Sequence, residues 1–477
     1  MGGCRIMKKN WTEDLAAILL GSMILVLAVL VFLLIPLGQT AESLRTAAGP
    51  GFDLDAWMDG SQFVNAPGRY LLSLVEESKP SGWTLNPFSA FSLYTLLYLV
   101  LLFAVFAAMF SLAAHLMTAK AGAFLQGFVA VFAVAVLARL LGAQTEFNSI
   151  GMGYELWAIS LGLVLSNTLK IPDFLRPALR HELYIKTGLV LLGAEVLFGK
   201  VLAIGLPGIF VAWIVTPIVL ITTYWFGQRI LKMTSPTLNI TISADMSVCG
   251  VSAAIATAAA CRATKEELTT AVGLSMIFTS IMMLALPAFI VAVGMPEVLG
   301  GAWIGGTIDA TGAVVAAGAF LGDTALNVAA TIKMIQNILI GVLAFGVAVY
   351  WTARVDRRAG REVTAGEIWT RFPKFVLGFI GASLAFSLLY ESLGTETAIV
   401  LIENATLDFT ADMRGWLFAL AFASIGLSIN FRELRSQFSG GKPLILYVSG
   451  QSLNLCLTLL MAWLMFYKVF PEITNAL

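Results

Sequence analysis

Apolar runs close to the length of a membrane-spanning helix recur along nearly the whole chain, and this constrains its fold more than any other feature. Thirteen such segments can be drawn, at approximately 15–35, 94–118, 122–142, 154–171, 184–203, 207–226, 239–261, 268–293, 302–320, 326–351, 374–391, 414–430 and 443–467. In hydrocarbon each unpaired backbone group costs several kcal/mol, so segments of this kind are helices and open sheet edges are excluded. Composition agrees: of 477 residues 58% are hydrophobic and 12% charged, with mean hydropathy +0.87, against about a quarter charged in soluble domains. The expected fold is an all-α polytopic membrane protein with about 11–13 transmembrane segments, two of them discontinuous or re-entrant. Residues 1–36 would hold an additional first helix, 37–91 an extracytoplasmic insertion and 92–477 a transporter core.

Basic residues sort the loops. Arg5, Lys8 and Lys9 precede the first segment, Lys120 follows the second, Lys170, Arg176 and Arg180 follow the fourth, and Arg229 and Lys232 follow the sixth. Arg354, Arg357, Arg358, Arg361, Arg371 and Lys374 follow the tenth, and Arg432, Arg435 and Lys442 the twelfth. All fall on one side if the N-terminus is cytoplasmic, which predicts an integral plasma (inner) membrane protein in that orientation. The opposite loop at 392–413 carries Glu396, Glu403, Asp408 and Asp412 without a basic residue. Whether segments seven and nine span or turn back moves only the loops between them, and Arg262 and Lys265 lean toward re-entrance. Net charge is zero, which argues against a nucleic-acid partner.

Cys4, Cys249, Cys261 and Cys456 form no CxxC pair, so neither a disulfide framework nor a metal site is expected. Ile6 stands where a myristoylation signal needs Ser or Thr, and residues 15–35 lack a small-x-small cleavage site, so they read as an uncleaved span. The insertion is punctuated by Gly49-Pro50-Gly51, Asn65-Ala66-Pro67-Gly68 and Lys79-Pro80-Ser81-Gly82, with a short surface helix expected over Tyr70–Val75.

Two polar interruptions break the apolar pattern. The first reads Ser243-Ala244-Asp245-Met246-Ser247-Val248-Cys249-Gly250-Val251-Ser252, followed by small residues to Ala260. The second reads Gly305-Gly306-Thr307-Ile308-Asp309-Ala310-Thr311-Gly312, followed by Ala313 to Phe320. Each precedes an arm about half a bilayer long. Broken helices whose N-terminal ends expose N–H groups are how many secondary transporters hold anions. The plainer alternative is close helix packing through small residues. Asp245 and Asp309 count against it, because an intramembrane carboxylate is costly and faces a cavity or a partner.

Lys333 is read as either a charge partner of Asp309 or a side chain reaching an interface. Glu195 is a cavity candidate, Lys186 lies at a cytoplasmic end, and Asn167 and Asn430 read as helix caps. His181-Glu182 opens like a metalloprotease motif, but Ile185 replaces the second histidine. No nucleophile elbow or P-loop is present, so enzyme activity is not expected.

Several stretches resemble the YeiH-like family of sulfate exporters. They are Leu161-Gly162-Leu163-Val164-Leu165-Ser166-Asn167, Gly188-Leu189-Val190-Leu191-Leu192-Gly193, Cys249-Gly250-Val251-Ser252-Ala253 with Lys265-Glu266-Glu267, Val314-Val315-Ala316-Ala317-Gly318, Ala330-Thr331-Ile332-Lys333 and Ile425-Gly426-Leu427-Ser428. The resemblance covers roughly residues 94–467 and implies a multi-spanning secondary carrier. Thr307-Ile308-Asp309-Ala310 and Gly312-Ala313 stand where the family shows Ser-Ile-His-Glu and Ala-Gln, and Gln336 where an arginine is common. Losing a histidine and an arginine there argues against sulfate itself.

The expected activity is secondary active transport of a small anionic solute, sulfur-containing anions among the candidates, coupled to protons or sodium, with a gated anion channel as the alternative. Ser247, Cys249, Gly250, Ser252, Thr307, Thr311 and Gly312 would bind the solute. Asp245, Asp309 and Lys333 would handle the coupling proton or sodium ion. No cofactor is expected; the partners are the solute, the coupling ion and membrane lipid, with a homo-oligomer left open.

Overall fold

The computed structural model describes residues 11–31, 66–117, 121–149, 153–169, 171–195, 198–351, 373–393, 402, 406–430 and 441–476. All thirteen apolar segments contain helix, and the described residues hold no strand, only an isolated bridge between Trp83 and Gln144. In chain order the main helices are α1 (Glu13–Val29), α2 (Ala66–Glu76), α3 (Leu93–Leu116), α4 (Ala121–Gly142), α5 (Tyr154–Thr168) and α6 (His181–Glu195). Then come α7 (Ala203–Arg229), α8 (Pro236–Asp245), α9 (Val251–Cys261), α10 (Lys265–Ala292), α11 (Glu297–Thr307) and α12 (Thr311–Leu321). The last four are α13 (Asp323–Tyr350), α14 (Phe375–Leu393), α15 (Asp408–Ser428) and α16 (Lys442–Val469). Seven of these, α3, α4, α7, α10, α13, α14 and α16, are long and apolar enough to cross a membrane. The basic residues Arg5, Lys8, Lys9, Lys120, Lys170, Arg354, Arg357, Arg358, Arg361, Arg371, Arg432 and Arg435, with Cys4, Glu396, Glu403 and the turns before residue 66, lie outside the described residues.

The chain folds into two interleaved units. Met1–Phe198 and Lys374–Ser428 make the first, Gly199–Pro373 and Ile429–Leu477 the second. The region 92–477 therefore contributes to both, and α1 belongs to the first.

In the first unit small residues let backbones touch. A Cβ at Gly162 on α5 would fall 2.7 Å from Gly426 Cα on α15, and one at Gly193 on α6 would fall 2.3 Å from the Phe379 carbonyl oxygen on α14. Ser166 Oγ donates to the Gly426 carbonyl at 3.0 Å. Three of the six family-like stretches are thus packing surfaces, as expected where van der Waals fit rather than hydrophobic exclusion joins helices. Phe103, Phe110, Phe124, Phe128, Phe132 and Tyr184 stack between α3, α4 and α6. Ionised groups at the helix ends are matched: Lys186 with Asp14 at 2.8 Å and Glu182 at 2.7 Å, Arg180 with Glu13 at 3.0 Å, and Arg414 with Glu195 at 2.8 Å. Glu195 is therefore a structural partner of Arg414, not a cavity group. The insertion contains α2, and Lys79 and Ser78 just after that helix bind Asp412 (2.7 Å) and the Trp416 indole (3.0 Å).

The second unit is built from two copies of one arrangement, in which a helix of 10 or 11 residues, a short break and a helix of 11 residues precede a helix of 28 residues. The first copy doubles back on itself. Cys261, at the end of α9, sits beside Thr241 (3.8 Å) and the Thr237 carbonyl (3.9 Å) of α8. At the same level Ser235 and Thr237 donate to Glu267, which also closes a capping box with Thr264 at the start of α10. The second copy also doubles back, since a Cβ at Gly322, just after α12, would meet Glu297 at the start of α11 at 3.0 Å. Gly301 and Gly305 of α11 lie against Ala325 and Ala329 of α13, so those two helices run in the same direction with α12 returning between them. Both broken segments are hairpins. Because α10 is about 42 Å long by helical rise, the two hairpins open at opposite ends of this unit.

Candidate functional site

The hairpin tips are short: Met246–Gly250 separates α8 from α9, and Ile308–Ala310 separates α11 from α12. Gly305, Gly306 and Thr307 still belong to α11, and a Cβ at Gly306 would fall 2.7 Å from Thr458. Close packing therefore explains those two glycines. Gly250 is different: its φ is +61°, and a Cβ there would meet Ser275 Oγ at 2.9 Å and Asp309 Cβ at 3.4 Å. Only glycine adopts this backbone without strain while another segment stands so close. The two tips, 60 or so residues apart in sequence, are thus in contact.

Breaking a helix strands carbonyls, and here side chains from neighbouring helices take them up. Lys333 Nζ donates to the Val248 carbonyl and, at 2.7 Å, to Gln336 Oε1. Gln336 Nε2 donates to the carbonyls of Ser247 (3.1 Å) and Gly306 (3.2 Å) and to Thr216 Oγ1 (3.1 Å). From α16, Gln451 Nε2 reaches the Thr307 carbonyl at 3.0 Å and Asn454 the Met246 carbonyl at 3.4 Å. Gln336 thus links the first tip to the last turn of α11. Lys333 is buried on the first tip; it makes no ion pair with Asp309 and does not reach an interface.

The N-terminal sides of α9 and α12 are left open. Their first intrahelical bonds are Ala254 N to Gly250 O (2.9 Å) and Val314 N to Ala310 O (3.0 Å). The residues at the capping positions, Gly250 and Ala310, provide no side-chain cap for the earlier N–H groups. Two helix N-termini with their positive dipole ends converge where the tips meet. The accessible part is formed by Val251, Ser252, Ala310, Thr311 and Gly312; Asn337 Nδ2 steadies Thr311 at 3.1 Å.

The expected solute ligands divide accordingly. Ser252, Thr311 and Gly312 lie on accessible first turns, and Gly250 at the contact between tips. Ser247, Cys249 and Thr307 are buried behind them, Ser247 donating to the Ala244 carbonyl at 3.3 Å. Asp309 is buried, its Oδ2 accepting from the Tyr447 hydroxyl. Asp245 is fully buried at the end of α8, with no hydrogen bond of ordinary geometry to either oxygen; Ser275, whose hydroxyl is a donor neighbour, and Asp309, a like charge, stand beside it. Among the described residues no cluster of three His, Cys, Asp or Glu could hold a metal ion. Sequence reasoning missed Ser275, Tyr447, Gln451 and Asn454. Tyr447, Gln451, Asn454 and Thr458 recur at helical spacing along α16, a polar stripe in an apolar segment that would have pointed to them.

Residues 126–447 match the model of the family described as conserved hypothetical protein 698. A UPF0324 membrane protein of Nitratidesulfovibrio vulgaris is 58% identical over 90% of this chain and 73% of its own length. A second from the same organism is 67% identical over 74% of this chain and 61% of its own. A UPF0324 membrane protein of Rhodopirellula baltica is 58% identical over 83% of this chain and 72% of its own. No solved structure matches. The matched span holds both hairpins and, of the stripe on α16, only Tyr447, and the chain belongs to this family of UPF0324 integral membrane proteins.

Proposed function

We propose that this protein is a secondary active transporter of a small anionic solute, coupled to protons or sodium, and not an enzyme. The observation that carries the reading is the meeting of two hairpin tips, each starting a helix whose first N–H groups lack a side-chain cap. Helix N-termini bind anions through those N–H groups and the helix dipole, and secondary transporters place such ends at a site formed between structural repeats. Ser252, Thr311 and Gly312 would touch the solute, while Ser247, Cys249, Gly250 and Thr307 shape the tips behind it. Asp245, Asp309 and Lys333 would hold the coupling charge. With the basic loops cytoplasmic, the first hairpin opens to the cytoplasm and the second to the outside, so eleven segments cross and Arg262 and Lys265 join the cytoplasmic set.

The resemblance to YeiH-like sulfate exporters favours a sulfur oxyanion, and the absence of the family's histidine and arginine favours a smaller or less charged one than sulfate. Reconstituted protein tests the reading with sulfate, sulfite, acetate and pyruvate as probes. Saturable uptake of one of them that needs a proton or sodium gradient is expected. Single-channel currents would instead support a gated anion channel, and no flux of any anion would remove the proposal. For orientation, a single cysteine at Arg358 should label only from the cytoplasm and one at Asp55 only from outside.

A further inference from the structure

The polar groups buried behind the tips contain more oxygen acceptors than donors. Asp245 Oδ1 and Oδ2, Asp309 Oδ1, Thr307 Oγ1, Thr279 Oγ1 and Gln451 Oε1 are all buried without a hydrogen-bond partner of ordinary geometry. They belong to one neighbourhood. Tyr447 binds Asp309 and stands in the field of Asp245, and Gln451, one turn further along α16, binds the Thr307 carbonyl at 3.0 Å and touches Met282 Sδ at 3.1 Å. Thr279 lies on α10 between Ser275, the neighbour of Asp245, and Met282. The Gln451 amide cannot be reversed without facing its oxygen to the Thr307 carbonyl, so Oε1 remains an acceptor.

A buried carboxylate must find a counter-charge or a proton. One proton shared between the two aspartates would occupy two of these six oxygens, and the Thr307 and Thr279 hydroxyls, which could donate, reach none of the others, whereas a hard cation takes five or more oxygens at once. The set is all oxygen, which suits an alkali or alkaline-earth ion rather than a transition metal. Charge selects between those two. Asp245 and Asp309 carry two negative charges and Lys333, held on the first tip, one positive, so a single monovalent cation makes the neighbourhood neutral and a divalent one does not.

We infer that Asp245, Asp309, Thr307, Thr279 and Gln451 form a binding site for one sodium ion behind the junction of the hairpin tips. This rests on the transport reading only in making that ion the coupling ion; the site itself follows from the orphaned oxygens. A cation there would clamp both tips, and so set the convergence of the N-termini that face the anion.

Thermal unfolding of the purified full chain, titrated with sodium, potassium or choline chloride at fixed pH and ionic strength, tests the site. A saturable rise in Tm with sodium alone is expected, since a ligand that binds only the folded state stabilises it by mass action. Thr279→Val and Thr307→Val each remove one oxygen and keep the side-chain outline. They should raise the half-saturating sodium concentration about tenfold and leave stability without sodium unchanged or higher. Asp245→Asn should fold and lose the sodium response. An equal response to sodium, potassium and choline, or unchanged titrations in all three variants, overturns the site. In proteoliposomes, sodium binding without transport of any probe anion would remove the proposed function and leave the site, whereas anion uptake driven by a pH gradient in sodium-free buffer would overturn sodium as the coupling ion.

Discussion

The two units treat buried charge in opposite ways. In the first, Lys186, Arg180 and Arg414 each meet a carboxylate within 3.0 Å, and Arg139 lies between the rings of Tyr154 (4.5 Å) and Trp416 (4.3 Å). In the second, Asp245, Asp309 and Lys333 are more deeply buried, yet the described residues show no ion pair among them. Their hydrogen bonds go to backbone, amides and a phenol instead. Charge that is paired within the protein holds helices in place. Charge that is buried and unpaired is costly unless something else arrives to balance it.

That contrast predicts a ranking of mutational effects. Arg414→Leu takes away the guanidinium that Glu195 meets at 2.8 Å in a largely shielded position and should cost about 3 kcal/mol; low expression and a much reduced Tm are expected, with recovery in the double variant Glu195→Leu/Arg414→Leu. Gly162→Val forces a side chain into the Gly426 backbone and should cost about 1–3 kcal/mol or more, read as a lower Tm. Gly250→Ala places a Cβ at positive φ against Ser275 and should cost about 1–3 kcal/mol; anion uptake should fall further than the loss of stability explains. Asp309→Asn keeps an acceptor for Tyr447 and breaks no ion pair, so its stability should change by about 1 kcal/mol or less, while ion-coupled uptake is lost. If Asp309→Asn proved as destabilising as Arg414→Leu, the contrast between the units would fail.

Much of this was legible in the sequence because hydrocarbon leaves a chain so few options. Thirteen apolar segments became helix, and the two polar stretches became breaks, because a run of carboxylate, hydroxyl and glycine has no stable place on a lipid-facing helix. The hairpin form was only hinted at by Arg262 and Lys265. It depends on contacts such as Cys261 with Thr237 and Gly322 with Glu297, which pair residues 24 or 25 apart with no periodic signature. Lys333 was noticed as an intramembrane charge, but its partner is a main-chain carbonyl, and a carbonyl leaves no mark in the letters of a sequence. Gly305 and Gly306 looked like part of the break and are packing residues, since glycine serves both purposes and only the neighbour decides which.

Under the proposed function, the two hairpin tips open one anion site through the first turns of α9 and α12. Single cysteines at Ser252 and Thr311, in a background with Cys4, Cys249, Cys261 and Cys456 replaced, test it by the rate of modification with a charged thiol reagent. Both positions should react from water, and the same anion that is transported should slow both with one half-saturating concentration. Protection of one position alone, or of neither, would contradict a site shared by the two tips.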